Sequence, residues 1–220
     1  MATYDLEEQE QLDELKAWWK QYGNLVTGVL LVVSLGVAGW QGWNWYQRQQ
    51  SAQASVIFNA LQRAAAERDQ QKVKAATGEL LEKFGGSTYA PMAALLAGKS
   101  AFDAGDLKTA KVQLSWAVDH TDGEMKDIAR LRLAAVLLDE KAFDEAAKLT
   151  SQAATRNFET LFAEMRGDIL LAQGQRAEAK QAYQAALQKK LDNATNGKTE
   201  GRSTGFREVV QQKLDALGDA

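Results

Sequence analysis

The chain of 220 residues has no cysteine, one histidine (His120) and one proline (Pro91). Without cysteine there is no disulfide framework and no thiolate nucleophile, whichever redox compartment the chain occupies. A single histidine leaves no zinc-ligand set and no imidazole-centred catalytic constellation. Scarce proline removes the commonest helix breaker. One further absence is positional: from Gln21 to Gln47 there is no Asp, Glu, Lys or Arg, whereas charges recur every few residues after Arg48.

That charge-free block is the most informative stretch. Leu25 to Trp45, as a helix, covers about 32 Å, close to the hydrocarbon thickness of a bilayer. A secretory signal would carry a basic head, but the residues before the block include Asp5, Glu7, Glu8, Glu10, Asp13 and Glu14 against Lys16 and Lys20. Trp18, Trp19 and Tyr22 mark one end of the block and Trp40, Trp43, Trp45 and Tyr46 the other, where amphipathic rings favour the membrane–water boundary. The expectation is an uncleaved single-pass anchor: an acidic cytoplasmic tail over 1–21 and a transmembrane helix over 22–47. Lys16, Lys20 and the amino terminus on one side, against Arg48 and distant Arg63 on the other, place the amino terminus inside. The rest of the chain then lies on the outer face, which is the periplasm of a Gram-negative cell.

The remainder carries 24 basic against 23 acidic side chains. No basic stripe offers a nucleic-acid footprint. Its wealth of Ala, Gln, Leu, Glu and Lys, with no apolar alternation, predicts an all-α domain. Gly85-Gly86, Gly105-Asp106, Asp122-Gly123 and Gly174 punctuate it into short helices.

Three stretches repeat: GDLKTAKVQLSWAV from Gly105, KAFDEAAKLTSQAA from Lys141 and GQRAEAKQAYQAAL from Gly174, at steps of 36 and then 33 residues. Each has an alanine five positions after the turn residue (Ala110, Ala146, Ala179). Leu114, Thr150 and Tyr183 stand four further on, and Ala117, Ala153 and Ala186 three beyond those. Seven residues before each turn sits a small residue: Gly98, Ala134 and Gly167. Period and offsets resemble the tetratricopeptide repeat, an α-solenoid of antiparallel helical hairpins. Gln53 to Phe84 fits a more degenerate hairpin. The repeat domain is expected over 48–190, a linker over 191–205 (LDNATNGKTEGRSTG) and an amphipathic capping helix over 206–217, with Phe206, Val209, Val210, Leu214 and Leu217 on its apolar face.

No motif carries catalysis. Gly197-Lys198-Thr199 lacks the upstream glycine and strand of a phosphate loop, and Asn193-Ala194-Thr195 is a sequon by pattern only. His120, near a helix end, reads as a capping or exposed residue. The expectation is a protein that is not an enzyme, with no cofactor, metal or small-molecule substrate. The candidate site is instead the concave face formed by the first helix of each hairpin. By offset from the turns it is lined by Met92, Leu95, Lys99 and Phe102, then Ile128, Leu131, Ala135 and Leu138, then Leu161, Glu164, Asp168 and Leu171. Partner binding and packing against the next repeat are both consistent with these positions. Within the apolar run, Ser34, Ala38 and Gly42, with Gly39 beside them, form a small-residue stripe that suits close approach of another transmembrane helix and equally suits an ordinary span.

LDELKAWWKQYGN (Leu12 to Asn24), the span, and GWQGWNWYQRQQ (Gly39 to Gln50) together resemble the YfgM family, bacterial single-span proteins with a periplasmic tetratricopeptide-like domain. The resemblance implies an ancillary subunit of the Sec translocon in the inner membrane. Its implied partners are the SecYEG channel, a membrane-anchored periplasmic chaperone and translocating polypeptides. A scaffold organising other cell-envelope assembly machinery is the alternative that the repeats also allow.

Overall fold

The computed structural model describes residues 4–195 and 203–218. Every element among them is helical: α1 (Tyr4–Ala66), α2 (Gln70–Lys83), α3 (Tyr89–Asp103), α4 (Leu107–Asp119), α5 (Gly123–Asp139), α6 (Phe143–Ser151), α7 (Glu159–Ala172), α8 (Arg176–Thr195) and α9 (Ser203–Leu217). The chain divides into two compact units, Met1–Ala52 and Gln53–Ala220.

The first unit consists of α1 up to Ala52. Leu25, Val29, Leu30, Leu31, Val32, Val33, Leu35 and Val37 all stand exposed along it. Of the described helices, α1 alone is long and apolar enough to cross a membrane. The Thr27 hydroxyl donates to the Gly23 carbonyl at 2.8 Å, so this polar group is satisfied within its own helix, as a lipid environment requires. Trp18 lies 6.4 Å from Trp19 and 5.8 Å from Tyr22, and at the other end Trp43 lies 6.2 Å from Tyr46. The expected junctions at 22 and 47 are not ends of the helix. The backbone stays helical from Tyr4 to Ala66, because no proline and no turn sequence falls between tail, span and first repeat.

In the second unit the hairpins are closed by one recurring device. Gly105, Lys141 and Gly174, the three turn residues of the repeat, all have positive φ, at 79°, 61° and 81°. The next residue's N–H then reaches back to a carbonyl five residues earlier: Asp106 to Ala101 and Gln175 to Leu170 at 2.9 Å, Ala142 to Leu137 at 2.8 Å. This Schellman closure satisfies carbonyls orphaned at the helix end. The first hairpin does the same: Arg68 has φ 58° and the Asp69 N–H reaches the Ala64 carbonyl at 2.9 Å. The end of α1 and α2 are therefore a fourth copy, in which arginine occupies the turn position that glycine favours. Asp69 and Asp106 then cap α2 and α4 by accepting from the N–H of Lys72 and Thr109.

Packing explains the small residues before each turn. A Cβ added at Gly98 would lie 2.6 Å from Leu114 Cγ, and one at Gly167 would lie 2.4 Å from Tyr183 Cε1. The corresponding pairs are Leu61 with Thr77 in the first hairpin and Ala134 with Thr150 in the third, all four buried. A glycine faces a large side chain in the second and fourth hairpins, two small side chains hold the positions in the third, and in the first the larger residue precedes the turn. Three apolar clusters result: α1, α2 and α3 around Leu61 and Leu80; α3 to α7 around Leu114, Leu133 and Leu137; and α7 to α9 around Tyr183 and Val210.

Residues 191–195 continue α8 and residues 203–205 open α9, so the expected linker is helical at both ends, and 196–202 lie outside the described residues. Leu191 to Thr195 contains no glycine or proline, so nothing there stops a helix already formed.

Candidate functional site

The first helices of the hairpins are the end of α1, then α3, α5, α7 and, in the capping position, α9. Among the expected lining residues, Leu95 is 7% exposed and belongs to the central core with Ala129 and Leu133 of α5. It is unavailable to a ligand because α5 packs directly over it. Met92 is half-buried against the first cluster, and Phe102, Ile128 and Leu138 against the central one. Leu131 and Ala135 are partly open, Lys99 is exposed and pairs with Asp103, and Leu161 and Leu171 are exposed at 37% and 36%. The expected apolar lining is thus mostly spent on packing between repeats, leaving a thin mixed strip.

Glu164 and Asp168 are brought together with a residue that the offsets could not indicate. Lys213 of α9 places its Nζ 2.8 Å from Glu164 Oε1 and 2.7 Å from Asp168 Oδ1. Tyr183 of α8 donates its hydroxyl to Asp168 Oδ1 at 2.7 Å, and the ammonium lies 5.8 Å from the Tyr183 ring centroid. Burial works against the Lys213 charge, but Asp168 and Glu164 outweigh it and hold its pKa above the ordinary lysine value. Burial, reinforced by the Asp168 carboxylate that accepts its hydrogen bond, pushes the Tyr183 phenol well above its usual range. The end of α9 is tied down as well, the Leu217 carbonyl by Arg176 at 2.8 Å and that of Gly218, just beyond the helix, by Lys180 at 3.4 Å.

A second polar group lies inside the solenoid. Arg130, 3% exposed, donates to Asp127 Oδ1 at 2.9 Å and to the carbonyls of Leu149 (3.1 Å from Nε), Gln152 (2.9 Å) and Ala153 (3.2 Å). Its guanidinium lies 4.6 Å from the Phe162 ring centroid. Asp127 Oδ2 accepts the Thr155 N–H at 2.7 Å. One arginine therefore caps the end of α6 and, with Asp127, fixes the loop that leads into α7. The role is architectural: every partner is supplied by the fold.

His120 is the C-cap of α4. Its ring stacks on Trp116 at 3.9 Å and 7°, and its Nδ1 is 2.8 Å from the Trp116 carbonyl. A cleft of about 700 Å³ opens where Gln62, Arg68, Gln70, Lys99 and Ser100 meet, and within it Gln70 bonds Ser100 at 3.0 Å. Among the described residues no three His, Cys, Asp or Glu side chains are grouped to hold a metal ion. Ser34, Ala38, Gly39 and Gly42 lie exposed on α1, and a Cβ at either glycine would meet nothing within 4 Å.

Comparison with known proteins agrees with this architecture. A family model described as a tetratricopeptide repeat-like domain matches residues 16–219. A Neisseria gonorrhoeae protein named ancillary SecYEG translocon subunit is 30% identical over 99% of this chain and its own full length. Proteins of the same name from Haemophilus influenzae (30% identical; 84% of this chain, 91% of its own) and Escherichia coli K12 (28%; 99% of each) match too. Together with the long apolar α1 and the hairpins closed at Arg68, Gly105, Lys141 and Gly174, these matches make the chain a member of the YfgM family of tetratricopeptide repeat-like proteins.

Proposed function

We propose that this chain is an ancillary subunit of the SecYEG translocon that works by binding and makes or breaks no bond. In this reading α1 anchors it once in the bacterial inner membrane, with the acidic segment in the cytoplasm and the repeats in the periplasm. Ser34, Ala38, Gly39 and Gly42 are the face offered to a neighbouring transmembrane helix. Lys99, Leu131, Ala135, Leu161 and Leu171 are the part of the repeat face open to a membrane-anchored chaperone or an emerging polypeptide. The observation that carries the reading is the near-full-length match to proteins named for that translocon, on a chain whose α1 has a span's length and aromatic ends. The thin strip of exposed apolar surface fits a weak binder. Tethering beside the channel exit raises its effective concentration, so high affinity is not required.

Photocrosslinking amino acids placed at Leu131 and Leu161 in intact cells test this reading. Adducts with translocon subunits, a periplasmic chaperone or a translocating chain are expected. Adducts confined to envelope-assembly proteins, or none at either position, would overturn it.

A further inference from the structure

α9 is held differently from the other first helices. Whereas α5 is packed by α3, α4, α6 and α7, α9 leans on α8, with Lys213 reaching α7. Among the described side chains of α9, Val210 and Leu217 are buried, Phe206 and Leu214 are partly so, and Val209 is 46% exposed. The receiving face, by contrast, is formed by other elements: Ala163 of α7 with Ala179, Tyr183 and Ala186 of α8 supply the apolar floor. Glu164 and Asp168 supply two carboxylates beside the Tyr183 ring, with Asp168 fixed by the tyrosine hydroxyl. A half-buried carboxylate pair beside an aromatic face is a receptor for a cation. Arg176 and Lys180 also tie down the end of α9, yet α9 is the last described helix of the stack, and terminal elements open locally more readily than central ones.

The geometry points to the α7–α8 face as a helix-recognition site of which α9 is the resident occupant and an amphipathic helix of a partner protein the exchange ligand. The required pattern is read from α9 itself: apolar residues at i, i+4, i+8 and i+11, as in Phe206, Val210, Leu214 and Leu217, with lysine or arginine at i+7, as in Lys213. The occupant is chosen by charge complementarity with Glu164 and Asp168. This inference takes from the proposed function only that the partner is a protein. A tethered α9 competes at an effective concentration on the order of millimolar, so a free helix enters only where α9 is weakened or the partner is itself tethered nearby.

The test uses the full chain in lipid nanodiscs and a fluorescent peptide of residues 203–217. Lys213→Glu sets a carboxylate of α9 against Glu164 and Asp168 while leaving the receiving face intact, and Lys213→Gln is the milder companion. The expected result is at least about tenfold tighter peptide binding by Lys213→Glu than by wild type, with Lys213→Gln between them. A peptide with its own lysine reversed to glutamate loses this binding. Unchanged far-UV circular dichroism shows that the variants remain folded. Equal binding by wild type and both variants, or equal binding of the charge-reversed peptide, would overturn the inference. So would a concentration-dependent dimer of the wild-type chain abolished by Lys213→Glu, since it would assign the face to a second copy. The assay contains no translocon, so its failure leaves the accessory-subunit reading standing, and failed crosslinking in cells leaves this result standing.

Discussion

Replacing Arg130 with alanine strikes the most heavily connected side chain inside the solenoid. The substitution leaves Asp127, itself 3% exposed, with only the Thr155 N–H, and it strips the carbonyls of Leu149, Gln152 and Ala153 of the donor that Arg130 provided. Breaking a buried ion pair by removing one partner costs about 3–5 kcal/mol. For a domain of roughly 170 residues each kcal/mol moves the melting temperature by about 2–4 °C, so the drop is about 6–20 °C. Arg132, two residues away, is exposed and donates once, to the Leu95 carbonyl at 3.1 Å, so Arg132→Ala costs about 1 kcal/mol. Arg130→Lys recovers little, because an ammonium cannot span three carbonyls and a carboxylate. Thermal unfolding followed at 222 nm in detergent compares the three. Hydrogen exchange identifies residues 149–158 as the first to lose protection in Arg130→Ala. A melting temperature for Arg130→Ala within about 2 °C of that for Arg132→Ala would refute the reasoning.

Other outcomes follow from the same structure. Gly98→Ala and Gly167→Ala overpack against Leu114 and Tyr183 and cost about 1–3 kcal/mol each, whereas Gly78→Ala, with nothing within 4 Å of the new Cβ in mid-α2, gains about 0.5–1 kcal/mol; urea unfolding reads the contrast. Lys141→Gly relieves a left-handed lysine and raises stability by about 1 kcal/mol in the same assay. The pKa values of Asp69, held low by the Lys72 N–H and ammonium, and Asp106, held low by Thr109, lie below the ordinary aspartate value of 3.8. Their stabilisation is complete above 3.8 and is lost as pH falls through the lowered values, so Asp106→Asn flattens acid denaturation measured below pH 4. Lys213 and Tyr183 are raised in the fold, so their contribution is full below the ordinary lysine and tyrosine values and fades as pH climbs beyond them; Lys213→Gln removes part of that alkaline loss. Because the chain has no cysteine, single cysteines report topology: an impermeant maleimide added to cells with a permeabilised outer membrane labels Val112→Cys and spares Lys16→Cys, and the reverse pattern contradicts the proposed orientation.

What the sequence disclosed depended on whether the relevant partners were close along the chain. The hairpins were legible because their turns and the residues flanking them form one local pattern, and Gly98 against Leu114 and Gly167 against Tyr183 are the contacts behind the offsets. The first hairpin looked degenerate because its turn uses Arg68 and its large and small positions, Leu61 and Thr77, are exchanged relative to the second and fourth. Arg130 was missed because, apart from Asp127 three residues before it, its partners lie 19 to 23 residues downstream on carbonyls, which any sequence offers. The available hint was its placement three, four and seven residues before buried Leu133, Ala134 and Leu137, a core-facing stripe on which an arginine must find partners. Direction on each helix was legible; depth was not. Periodicity puts Leu95 and Leu131 on similar faces, and only the packing of α5 over α3 separates a core leucine from a more open one. Glu164 and Asp168 read as ligand-facing acids for the same reason: Lys213, their counterion, stands 49 and 45 residues away.

The central claim, that this membrane-anchored solenoid is an accessory part of the protein-export channel, is tested most directly by affinity purification of the tagged full-length chain from its native membranes in mild detergent. The account predicts that the SecY, SecE and SecG subunits are retained and are lost when residues 22–47 are replaced by an unrelated apolar helix. Recovery of the chain free of all three, under conditions in which the channel itself stays assembled, would contradict it.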